Sequence, residues 1–155
     1  MPGRFEVISK ENKKVIIDYA HSADSLEKAL KIVNKLNYDG AKIITVFGCG
    51  GNRDKLKRIQ MGKIASELSD EVIITSDNPR DEDPYKIINE IRSGIVKKNY
   101  NVIEDREEAI KHAIYKSDSK SIILIAGKGH EDYQEIKGVR THFSDREVAE
   151  NYLHN

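Results

Sequence analysis

The sequence predicts a doubly wound α/β domain with a mostly parallel sheet and helices on both faces. Three observations predict it: short unalternated apolar runs, amphipathic helical patterns between them, and capping signals where those helices should begin. Val15-Ile16-Ile17, Ile43 to Phe47, Val72-Ile73-Ile74-Thr75 and Ile122 to Ala126 are rich in β-branched residues, as strands covered on both faces require. Leu26, Ala29, Leu30 and Val33 share one helical face, as do Ile87, Ile88, Ile91 and Ile95, and then Ala109, Ile110, Ala113 and Ile114. Asp24 with Glu27, Asp105 with Glu108 and Ser144 with Glu147 have capping-box spacing, and Pro84 suits a first helical position after Asp83. Past Ala126, Tyr133 to Ile136 and Val139 to Phe143 flank Gly138 and predict a hairpin before a last helix.

A chain of 155 residues supports one core and one domain. Lys+Arg and Asp+Glu both number 26, so bulk charge gives no reason to expect a nucleic-acid or anionic-membrane partner, and anion binding must be local. The lone Cys49 forms no internal disulfide, no apolar run approaches membrane-spanning length, and Met1-Pro2-Gly3 begins no signal peptide. A cytoplasmic setting is expected, with no membrane partner.

The chemistry gathers where predicted strands end. Asp77-Asn78-Pro79-Arg80 follows Val72 to Thr75, placing a guanidinium that can grip a planar anion bidentately beside an amide that can donate and accept. Ligands of open α/β folds sit at the carboxyl ends of strands, so the placement reinforces the chemistry. Gly48-Cys49-Gly50-Gly51-Asn52-Arg53-Asp54 follows a strand and precedes a predicted helix; it is either a tight turn or an anion cradle, and Arg53 favours the latter. Arg53 stands where a dinucleotide fingerprint wants a third Gly, and no GxxxxGK[ST] loop occurs, so the chain carries no phosphate loop of its own. Asp18-Tyr19-Ala20-His21 closes the first strong strand; Asp18 suits a ribose, or else it and His21 only cap the next turn. Gly127-Lys128-Gly129-His130-Glu131 is either a solvated charged loop or a site in which Lys128 meets phosphate and Glu131 accepts from a ligand ammonium. His21, His130 and His142 lie far apart outside any HxxxH or HExxH pattern, so no metal site is expected within the chain.

Taken in order, Gly3-Arg4-Phe5-Glu6, Asp18-Tyr19-Ala20-His21, Gly48 to Asp54, Asp77-Asn78-Pro79-Arg80, Asp105-Arg106, Gly127 to Glu131 and Asp145 to Ala149 resemble the C-terminal domain of the Mur ligases, in the branch that adds a diamino acid. The resemblance spans essentially the whole chain. It implies a Rossmann-like sheet of about six strands, one of them antiparallel, and a parent enzyme whose first domain binds uridine nucleotide and whose central domain is the ATPase, neither of them present here. It implies ATP and Mg2+ as requirements, with Mg2+ held mainly by the central domain. The complete enzyme would phosphorylate the D-glutamate carboxylate of UDP-N-acetylmuramoyl-L-alanyl-D-glutamate and let a diamino acid's amine attack, this domain docking the amino acid as a lid. Carried over by position, Arg53, Asp77, Asn78, Arg80, Gly127 and Glu131 fall on the diamino acid pocket; Arg4, Asp18 and His21 face ATP; no catalytic residue is expected in this domain. An arginine at position 80 marks a preference for meso-diaminopimelate over lysine. The isolated chain is expected to be a monomer without ligase turnover. Two alternatives stand beside this one: a nicotinamide- or flavin-dependent oxidoreductase domain, suggested by the Gly-rich turn, and a non-catalytic amino-acid-binding module.

Overall fold

In the computed structural model of the chain, residues 4–155 are described, so Gly3 of the first motif lies outside them. Six strands form one sheet in the order β1-β2-β6-β3-β4-β5: β1 (Glu6–Lys10), β2 (Lys13–Asp18), β3 (Lys42–Phe47), β4 (Glu71–Ile74), β5 (Tyr100–Val102) and β6 (Ser121–Ala126). Every pairing is parallel except β1 with β2, which meets the expectation of a mostly parallel sheet with one antiparallel strand. Both β1 and β5 lack an apolar run because each is an edge strand with little to bury: β1 buries only Ile8, and β5 is three residues long.

Helices α1 (Ala23–Leu36), α2 (Lys55–Leu68) and α3 (Pro84–Arg92) cover one face; α4 (Arg106–Lys116) and α5 (Asp145–Leu153) cover the other. Strand residues alternate between two cores. Ile16, Ile43, Phe47, Val72, Ile74 and Leu124 pack beneath α1 to α3, whereas Val15, Ile17, Ile44, Val46, Ile73 and Ile125 pack beneath α4 and α5. Both faces of the central strands being buried accounts for their unalternated sequences.

The helix starts refine the capping expectations. Asp83, Asp105 and Ser144 are N-caps and Pro84 opens α3, as expected. Asp24 is not: α1 is capped by Ser22 in a reciprocal box with Ser25, leaving Asp24 in the first turn, where its carboxylate faces the positive end of the helix and pairs with Lys28. The hairpin forms as β7 (Tyr133–Ile136) and β8 (Val139–His142), a separate two-stranded sheet. No helix among the described residues is long and apolar enough to cross a membrane.

Candidate functional site

The loops leaving β2, β3, β4 and β6 converge at one edge of the sheet around a cleft of about 150 Å³. Its lining includes Arg53, Asp77, Asn78, Arg80, Gly127 and Glu131, six residues drawn from three separate sequence motifs, together with His21. Tyr19, Cys49, Lys57 and Arg58 also line it and carried no site expectation. Arg4 is exposed and Asp18 sits behind the rim; neither lines the cleft.

The β3 turn reaches the cleft because its glycines let two backbones nearly touch. A Cβ on Gly51 would lie 1.8 Å from the Pro79 carbonyl oxygen, so only hydrogen fits there. Gly51 N–H donates to the Asn78 carbonyl at 2.7 Å, joining this turn to the Asp77–Arg80 loop. Beneath it, the buried Arg58 donates to Gly50 O at 2.8 Å, to Glu82 at 2.9 and 3.1 Å and to Glu90 at 2.8 Å, while Glu82 accepts from the Asn52 N–H. The Arg58 guanidinium pulls the Glu82 carboxyl down to about 2.

The Asp77–Arg80 loop is held on its far side by the hairpin. Gln134 Nε2 donates to Asp77 O at 2.8 Å, Glu135 N–H donates to Asn78 Oδ1 at 2.9 Å, and Arg80 makes a one-residue parallel bridge with Ile136. That bridge fixes Arg80 with φ of 55°, a left-handed backbone that an arginine adopts only when its surroundings impose it. Held this way, the Arg80 side chain points over the glycine turn, with one guanidinium N–H on Gly51 O at 3.1 Å and the remaining donors toward the cleft.

Asn78 is buried, and its Oδ1 accepts from both Glu135 N–H and the Lys128 ammonium. Of the two roles expected of this amide, accepting is already used up inside the protein; only Nδ2 is left to meet a ligand, as a donor. Lys128 overturns both expectations made for it. It is 0% exposed, neither solvated nor able to meet a phosphate, and its Nζ lies 2.9 Å from Asn78 Oδ1, 2.9 Å from Tyr133 O and 3.0 Å from Asp77 Oδ1. The Asp77 contact is an ion pair without hydrogen-bond alignment.

Glu131 completes the acidic side. Burial, then the neighbouring Asp77, raise its carboxyl above the ordinary 4.5, partly opposed by Lys128, whose Nζ is 3.9 Å away. Gly127 supports this wall at φ 118°, and a Cβ there would come within 3.0 Å of Asp77 Oδ2. Asp18 behaves as the turn-capping alternative described: Oδ1 accepts from Phe5 N–H at 2.8 Å and Oδ2 from Ala20 N–H at 2.9 Å. The His21 Nδ1 lies 2.8 Å from Tyr19 O, so Nδ1 carries the proton and Nε2 faces outward. Cys49, buried, has its thiol pushed up to about 12 by burial first and Asp77 second, which makes it unreactive packing.

Arg106 fastens the whole rim from below. Fully buried, it grips Asp145 bidentately at 2.8 Å through each nitrogen and donates to the carbonyls of Ser76 at 3.0 Å and Ala126 at 3.1 Å, just past β4 and at the end of β6.

The chain belongs to the Mur ligase family: its residues 3–129 match the family described as Mur ligase, glutamate ligase domain. Its relatives include UDP-N-acetylmuramoyl-L-alanyl-D-glutamate--2,6-diaminopimelate ligase of Aquifex aeolicus, 53% identical over 99% of this chain and 32% of that protein. The protein of the same name from Chlorobaculum tepidum is 50% identical over 96% of this chain and 30% of its own length. A solved structure titled as that ligase superposes with a TM-score of 0.92 at 40% identity, over 99% of this chain and 32% of the other. A folylpolyglutamate synthase of Thermotoga maritima superposes with a TM-score of 0.62 at 26% identity, over 82% of this chain and 28% of the other. The chain therefore spans about a third of the length of the relatives it matches. Residues 130–155, including the hairpin that clamps the Asp77–Arg80 loop, lie beyond the span matched by the family description.

Proposed function

We propose that this chain is the amino-acid-docking lid of an ATP-dependent ligase that adds meso-diaminopimelate to UDP-N-acetylmuramoyl-L-alanyl-D-glutamate in peptidoglycan precursor synthesis. One observation carries the reading: a single cleft sets the Arg53 and Arg80 guanidiniums and the Asn78 N–H2 against the Asp77 and Glu131 carboxylates. That is the charge pattern of an amino-acid zwitterion in mirror image. Meso-diaminopimelate and L-lysine share the reacting amine but differ at the far end, where the former has a second carboxylate. Arg80 and Arg53 reward that carboxylate, and Glu131 with Asp77 hold the ammonium beside it. With lysine bound, the guanidiniums would lose their partner, so selectivity comes from both the bond made and the donors left unmatched.

The mechanism in this chain is positional. Gripping the distal end fixes the free amine of the diamino acid, and closure of the lid brings that amine onto the activated acceptor carbonyl while keeping out water that would hydrolyse it. Bound ATP supplies the phosphoryl group that activates the acceptor; Arg4 and the outward Nε2 of His21 would face it, with Asp18 holding the Phe5 and Ala20 main chain behind them. Mg2+ would be held mainly by the central ATPase domain of the parent enzyme. The reading places the protein in the cytoplasm as a monomer with small-molecule substrates, without nucleic-acid or membrane partners. The oxidoreductase alternative loses its motivation, because the Gly48–Gly51 turn is occupied in packing against the Asp77–Arg80 loop.

The test is a fusion. Joined in place of the last third of the Aquifex aeolicus relative, the chain should support ATP-dependent addition of meso-diaminopimelate and release of phosphate, while the chain alone gives no turnover. Fusion enzyme that folds and hydrolyses ATP but uses L-lysine as readily would refute the reading.

A further inference from the structure

Lys128 is the only lysine in the chain with 0% exposure among the described residues, and its burial is costly. Desolvation pushes its ammonium below the ordinary 10.5, with Asp77 only partly restoring it. An apolar residue in its place would avoid that penalty, so folding alone gives a weak reason for an ammonium here. Its three partners explain it better. Tyr133 O belongs to β7, Asn78 Oδ1 to the Asp77–Arg80 loop, and Asp77 Oδ1 to the cleft wall. The ammonium offers donors and no acceptor, so the Asn78 side chain must turn its oxygen inward. Glu135 N–H imposes the same direction from the hairpin.

We propose that Lys128 is a positioning residue: without reaching the ligand, it locks the Asn78 amide with Nδ2 toward the cleft and holds Asp77 and strand β7 behind it. This rests on the cleft being a diamino acid site. The consequence is a donor-only surface at Asn78, matched to a ligand carboxylate and mismatched to a ligand ammonium. With Lys128 apolar, Asn78 keeps one internal donor instead of two, its amide can reorient, and Asp77 loses its nearest cation.

The experiment uses NMR on the 155-residue chain. In ligand-free Lys128→Met, the Asn78 side-chain amide resonances should shift and their hydrogens exchange at least tenfold faster, while backbone amides of β3 and β6 keep their protection. Titration with meso-diaminopimelate should show at least tenfold weaker binding for Lys128→Met, yet under threefold further loss when Asn78 is already Ala. Asn78→Asp is the second probe. It keeps an oxygen for Lys128 and for Glu135 N–H and should fold, but it presents an acceptor to the cleft and should weaken binding at least tenfold. Unchanged Asn78 amide signals in Lys128→Met, an equal fold-loss in both backgrounds, or undiminished binding by Asn78→Asp would each overturn the proposal. If the wild-type chain ignores meso-diaminopimelate, the substrate reading takes the blow, and the ligand-free amide signals still decide the role of Lys128.

Discussion

Replacing Arg80 by Ala isolates the electrostatic core of the specificity. The backbone at position 80 is left-handed with or without the side chain, since the Ile136 bridge and the flanking hydrogen bonds to Glu135 and Lys137 are made by main-chain atoms. Ala retains that conformation and its cost, so the perturbation is confined to atoms beyond Cβ. Within the protein the guanidinium makes one hydrogen bond, to Gly51 O at 3.1 Å, and losing it costs stability about 1 kcal/mol. The larger loss is at the ligand. A bidentate pair with a carboxylate in a half-buried cleft contributes about 2–3 kcal/mol, equivalent to roughly 30- to 150-fold in affinity. Initial-rate kinetics of the ligase containing this chain should show the Michaelis constant for meso-diaminopimelate rising by that factor, with the constant for ATP changed less than twofold. Equal losses for both substrates, or a change below threefold for the diamino acid, would refute the assignment.

Two further perturbations test what surrounds the cleft. Arg58→Leu should destabilise the domain by about 3–5 kcal/mol in urea titrations, because it strands the Glu82 and Glu90 carboxylates in a largely buried site. The same pair predicts acid behaviour: Glu82 titrates near 2 folded against an ordinary 4.5, so its contribution is complete above about pH 4.5 and lost as pH falls toward 2, and Arg58→Leu should flatten that limb of the stability profile. Glu131 behaves in the opposite sense. Its carboxyl is raised by burial and Asp77, and a ligand ammonium would pull it back down, so meso-diaminopimelate binding should release protons and tighten as pH rises through the Glu131 titration above 4.5. Calorimetry in buffers of different ionisation enthalpy measures that release, and Glu131→Gln should abolish it.

Much of this architecture was legible in residue order. Central strands buried on both faces must be apolar throughout, and Val15–Ile17 or Ile122–Ala126 announce themselves for that reason. Edge strands have no such obligation, which hid β1 and β5. Helix starts were legible where one side chain could be the cap, as at Asp83 and Asp105. They were ambiguous at α1, where Ser22 and Asp24 both qualify and Ser25 decided the matter by returning the bond to Ser22. The cleft was legible as a set of polar residues at strand ends, because strand ends of a parallel sheet share one edge. What each polar group faces was not. Lys128 looks like a loop cation in sequence, and only the arrival of Tyr133 O and Asn78 Oδ1 shows it as a buried hub; its one sequence signal is a lysine set between two glycines directly after the fully buried β6. The hairpin itself was legible, but nothing in Tyr133–Ile136 advertises that it braces a loop more than fifty residues earlier, since neither the Gln134 amide nor the Glu135 N–H names its partner in the sequence.

A crystal structure with meso-diaminopimelate bound measures the central claim most directly. The account predicts one ligand carboxylate within hydrogen-bonding distance of the Arg80 guanidinium and of Asn78 Nδ2, with the ammonium of that same end against Glu131. A ligand seated with its ammonium toward Arg80, or an Arg80 still turned to Gly51 O and solvent while the diamino acid binds elsewhere, would contradict it.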